Sequence, residues 1–80
     1  MALNLIEKRL GQVIKRRREA AGLSQEEFAE RAEVHRTYVS QLERGLKSPS
    51  VRVLVKMADA LGCEAWEILR ESRPEARNVP

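Results

Sequence analysis

The chain has 80 residues, 42% of them hydrophobic and 34% charged, with 4% aromatic and a net charge of +3, which is enough for one domain with a modest core of Leu, Val, Ile and Ala. One cysteine, Cys63, and one histidine, His35, exclude an internal disulfide and a Cys/His metal site. No apolar run nears the roughly 18 residues of a membrane span, and the N-terminal "MALNLIEKRL" is too short in apolar residues for a signal peptide, so no membrane contact and a cytoplasmic location are expected.

A first helix is predicted from Asn4, whose side chain can accept from the free N–H groups of the opening turn while Glu7 completes an N-x-x-E capping box. Ile6, Leu10, Val13, Ile14 and Ala21 recur at helical spacing, and Gly22 stops the run. The second helix opens on Ser24 with Glu27 three residues later, and Phe28, Ala29 and Ala32 form its inner stripe. A third, from His35 to Arg44, follows after only "EVH" and ends at Gly45.

In "LKSPS", Pro49 keeps Ser48 out of helical geometry, and Ser50 can cap a fourth helix that turns Val53, Leu54, Met57, Ala58 and Leu61 inward before Gly62. A fifth, Ala65 to Glu71, carries Trp66, Ile68 and Leu69. No stretch alternates with period two, so the reading is all-α: five helices over residues 1–71, followed by a flexible tail at 72–80. The tight turn between the second and third helices forces a large angle between them, the geometry of a helix-turn-helix over about residues 24–44.

Charge is unevenly distributed. Basic segments at residues 1–22 and 35–56 bracket an acidic one at 24–33, and if the basic segments fold onto one face, that face suits a polyanion. The third helix is too short to be stable alone, since isolated helices below about 12–15 residues are marginal in water. It is nonetheless dense in hydrogen-bonding side chains.

"LSQEEFAERAEVHRTYVSQLERGLKSPSVRVLVKMADALG", residues 23 to 62, resembles the Cro/repressor-type (XRE) helix-turn-helix family, through S-Q-E-x-x-A, V-x-R-x-x-V-S-x-x-E-x-G, P-S and A-x-x-L-G. With the first and fifth helices the likeness spans roughly residues 6 to 70, and "HRTYVS" is similar to the controller proteins of restriction–modification systems. The resemblance implies a phage-repressor-like five-helix fold and a sequence-specific transcription regulator that binds a palindromic operator in double-stranded DNA as a homodimer.

By position, the resemblance gives base reading to Arg36, Thr37, Ser40 and Gln41, and a phosphate contact to Gln25. Further phosphate candidates are His35, Tyr38, Arg44, Lys47 and Ser48, with Tyr38 equally suited to packing against the scaffold. Glu43 resembles the family's acidic residue that pairs with an arginine of the first helix, here Arg18. Glu33 stands where the family usually has Gly, and His35 replaces the usual Ser or Thr cap.

Trp66, Ile68 and Leu69 are candidates for the dimer interface, with core closure the alternative for Trp66, and the acidic edge of Glu26, Glu27 and Glu30 makes RNA polymerase a candidate partner. An antitoxin-like role with a protein partner ranks second. Catalysis is not expected, because Cys63 and His35 have no third member and no Gly-rich phosphate loop exists, and no cofactor is implied.

Overall fold

The computed structural model describes residues 5–73. Among them the chain forms five α-helices: α1 (Leu5–Ala20), α2 (Gln25–Ala32), α3 (Arg36–Glu43), α4 (Val51–Leu61) and α5 (Ala65–Ser72). None is long and apolar enough to cross a membrane. The expected Asn4 cap and most of the expected tail, residues 74–80, lie outside the described residues.

Each of the next three helices begins at a side-chain cap. Ser24 Oγ accepts from the Glu27 N–H at 3.0 Å while Glu27 Oε1 accepts from the Ser24 N–H at 2.9 Å, closing the reciprocal box. Ser50 Oγ accepts from the Val53 N–H at 3.2 Å. His35 takes the corresponding place before α3, its Nδ1 accepting from the Thr37 N–H at 3.1 Å.

The end of α2 has a Schellman closure, with the Val34 N–H on the Ala29 carbonyl at 2.9 Å and the Glu33 N–H on that of Glu30 at 3.1 Å. This puts Glu33 in the left-handed region at φ 60, which costs a residue with a Cβ about 1–2 kcal/mol. Across the surface, Lys56 of α4 reaches Glu33 at 3.2 Å.

The core draws on every helix: Leu10, Val13 and Ile14 of α1, Phe28, Ala29 and Ala32 of α2, Val39 and Leu42 of α3, Leu54, Met57 and Ala58 of α4, and Ile68 of α5, with Leu23 closing the α1–α2 corner. Helix α2 packs on α3 and α4, and α1 lies across α3 and α5. Val53 and Leu61 are half-buried at the margin of this core.

Four expectations need correction. Ile6, in the first turn of α1, is exposed, and so is Ala21, which falls beyond the helix end at Ala20. Ile68, expected at a dimer interface, is 0% exposed and belongs to the core of a single chain. Ser72 belongs to α5 rather than to the tail: it is fully buried, and its hydroxyl donates to the Ile68 carbonyl at 2.6 Å.

Arg17 ties α1 to α5 by donating to Glu71, with Glu67 at 3.7 Å, and Arg16 lies 3.8 Å from Glu71. The hydrogen bond holds the Glu71 carboxyl below, and the Arg17 guanidinium above, their ordinary pKa ranges. The basic end of α1 therefore serves the scaffold in part.

Candidate nucleic-acid interface

Helix α3 is fastened along one face and open along the other. Val39 and Leu42 enter the core with no exposure, and Glu43 at the helix end is buried as well. The opposite edge carries Arg36, Thr37 and Arg44, all exposed, with Ser40 and Gln41 half-buried between them. Residues four apart share a helix face, so Arg36, Ser40 and Arg44 form one row and Thr37 and Gln41 the next. The four residues assigned to base reading are thus brought together on a single edge.

The far end of α3 is gripped by α1. Arg18 donates through Nε to Glu43 Oε2 at 2.6 Å and through Nη2 to Glu43 Oε1 at 3.1 Å, while Nη1 donates to the Leu23 carbonyl at 2.8 Å. Both side chains are at least nine-tenths buried. The hydrogen bond to Glu43 raises the Arg18 pKa further and keeps it charged, against the opposing cost of burial. Such a pair fixes geometry more surely than it adds net stability.

Two turns earlier in α1, Gly11 lies flat against the same helix end. A Cβ at that position would stand 2.3 Å from the Leu42 carbonyl oxygen and 2.8 Å from that of Glu43. Only a residue without a side chain permits this approach. Sequence reasoning missed Gly11; the available signal was a lone glycine inside a helical run, where alanine would be better by about 1 kcal/mol unless space forbids it.

The phosphate candidates fall into three groups. Gln25, at the first position of α2, is half-buried and donates from Nε2 to Glu43 Oε1 at 3.0 Å, a link between α2 and α3 that the sequence did not reveal. His35, Lys47 and Ser48 are exposed at the two ends of the α3 edge, with the His35 ring already engaged as a cap. Arg44 folds its Nε back to the Ser40 carbonyl at 3.3 Å, and Tyr38 is half-buried against the core, where burial pushes its phenol pKa up.

On the remaining surface, Trp66 and Leu69 are 59% and 47% exposed along α5, separate from the buried Ile68. Among the described residues no group of three or more His, Cys, Asp or Glu side chains could hold a metal ion.

Comparison with known proteins identifies the family. Residues 14–65 match the helix-turn-helix family HTH_3. An uncharacterized HTH-type transcriptional regulator of Mycobacterium tuberculosis is 46% identical over 55 residues, 69% of this chain but 39% of that protein, so the chain spans about two fifths of that relative's length. The control protein C.MunI of a Mycoplasma species is 35% identical over 74 residues, covering 91% of this chain and 100% of the relative. Among solved structures, the restriction–modification controller protein C.AhdI of Aeromonas hydrophila superimposes with a TM-score of 0.75 at 38% identity, covering 76% of this chain and 92% of that one. The helix pair built around Glu33, the open edge of α3 and this matched span together place the chain in the helix-turn-helix family of XRE type.

Proposed function

We propose that the chain is a sequence-specific DNA-binding transcription regulator that inserts α3 into the major groove. The observation that carries this reading is the division of α3 into a buried face and a continuous polar edge of Arg36, Thr37, Ser40 and Gln41. A B-DNA major groove about 12 Å wide accepts one helix and presents distinct donor and acceptor patterns to such an edge. Arg36 suits a bidentate contact to guanine O6 and N7, and Thr37 suits a thymine methyl. Gln25, His35, Lys47 and Ser48 flank the edge where phosphates would run, with Arg44 and Tyr38 nearby.

One α3 reads only a few base pairs, so a palindromic operator bound by a two-fold dimer is the natural arrangement, with recognition helices about 34 Å apart. Trp66 and Leu69 are the apolar side chains α5 leaves for a second copy.

The likeness to C.MunI and C.AhdI supports control of restriction–modification genes as the regulated function. Glu26 and Glu30, exposed on α2, offer an acidic edge to RNA polymerase, and the setting for such a role is the cytoplasm. The role is one of binding rather than catalysis. Selection of bound duplexes from a random pool tests the proposal: a palindrome with half-sites one helical turn apart is expected, and recovery of no common sequence would refute it.

A further inference from the structure

The Gln25 amide is not free to turn. Its Nε2 donates to Glu43 Oε1 at 3.0 Å. A carboxylate has only lone pairs to offer, so the amide must meet it with nitrogen rather than with its own carbonyl oxygen. Glu43 is itself fixed by Nε and Nη2 of Arg18 at 2.6 and 3.1 Å, and Arg18 by the Leu23 carbonyl at 2.8 Å. The chain of bonds runs from α1 through the last residue of α3 to the first residue of α2.

An amide nitrogen carries two N–H groups, and Glu43 takes one. The other is left on a half-buried side chain beside the free backbone N–H groups that open α2. An unheld glutamine would have to be ordered when it met DNA, whereas one already held binds without that entropic cost.

We infer that Glu43 is a positioning residue for the DNA-backbone contact: supported by Arg18, it holds the Gln25 amide with one N–H reserved for a phosphate oxygen, while touching no DNA itself. This rests on Gln25 being a phosphate contact, as proposed above. It makes the end of the recognition helix part of the backbone grip, so that base reading and phosphate binding are fixed relative to each other.

The test compares four proteins on a duplex recovered by random selection and on a scrambled duplex of equal length, at one salt concentration. They are the natural protein, Gln25→Ala, the double variant Arg18→Met/Glu43→Leu, and the triple variant. In the natural background Gln25→Ala weakens binding to both duplexes by about ten-fold, the equivalent of ~1.4 kcal/mol. In the Arg18→Met/Glu43→Leu background, which already binds less tightly, the same change costs less than about two-fold, because the amide is no longer held.

An equal cost in both backgrounds would overturn the inference, since Gln25 would then act without Glu43. So would a loss of preference for the selected duplex in the double variant, which would mean that the pair serves α3 alone. If Gln25→Ala costs nothing in the natural protein, the phosphate reading itself fails and the inference falls with it. A second measurement needs no variant: the Gln25 side-chain amide proton that meets Glu43 should exchange slowly and lie displaced from its free-glutamine position before DNA is added, and the other should shift when DNA is added. Two protons that both sit at free-glutamine positions and both exchange rapidly would overturn the inference.

Discussion

Replacing Gly11 by alanine sets two effects of opposite sign against each other. In an isolated helix the change stabilises, because alanine exceeds glycine by about 1 kcal/mol in a helix interior. In this fold the new carbon would stand 2.3 Å from the Leu42 carbonyl oxygen and 2.8 Å from that of Glu43. Carbon and oxygen in close contact normally stay about 3.3 Å or more apart, so the end of α3 must retreat from α1 by on the order of 1 Å.

Both opposing atoms are backbone, so no change of rotamer relieves the clash. The retreat also draws Glu43 from Arg18, whose bonds of 2.6 and 3.1 Å leave little slack. Overpacking costs ~1–3 kcal/mol and a loosened charged hydrogen bond roughly 1 more, so after the gain in helix propensity a net loss of about 2 kcal/mol is expected. For a domain of this size that lowers Tm by on the order of 10 °C. Urea unfolding followed by helical circular dichroism gives the sign directly. A variant more stable than the natural protein, with unshifted amide resonances at residues 42–45, would refute the close approach of α1 to α3.

Three further outcomes are expected. Arg18→Met or Glu43→Leu alone should cost ~3–5 kcal/mol by leaving a buried charge without its partner, whereas the two together should cost far less; additive losses in urea titrations would contradict a coupled pair. Glu33→Gly should raise stability by about 1 kcal/mol, because the left-handed residue no longer carries a Cβ and the Lys56 ion pair it gives up is exposed and worth little; destabilisation would count against the turn geometry. The Glu27 carboxyl is held below its usual range, first by the Ser24 backbone N–H and then by the Ser24 side chain. Its stabilising contribution is therefore present above the unfolded value of about 4.3 and is lost as pH falls through the lower folded value, so Glu27→Gln should lose less stability on acidification than the natural protein. Parallel acid profiles would contradict that linkage.

The helices were readable from the sequence because their signals are local. Ser24 with Glu27 and Ser50 with Val53 mark helix starts within four residues, and Phe28, Ala29 and Ala32 repeat at the helical period. The turn was also placed, with Glu33 at positive φ despite its side chain. Most of what escaped depends on partners distant in sequence.

Trp66, Ile68 and Leu69 cannot all face one way, and the choice is made by Ile68 and Ser72, four residues apart on the face that meets the core. Ser72 joins that face because its hydroxyl is satisfied by the Ile68 carbonyl, and a hydrophobicity pattern does not register such a residue. Gly11 gains its meaning only from the carbonyls of residues more than thirty positions away. Gln25 was assigned by resemblance, but its tie to Glu43 arises only once α2 and α3 have packed.

The most direct test of the account is the affinity of the natural protein and of Arg36→Ala for a selected duplex and for its scrambled counterpart at physiological salt. The account predicts that the natural protein prefers the selected duplex by at least about 10³-fold. Arg36→Ala should surrender roughly 10- to 100-fold of that preference while its affinity for the scrambled duplex changes little. Equal affinity of the natural protein for both duplexes, or an Arg36→Ala loss of the same size on each, would contradict a base-reading role for the outer edge of α3.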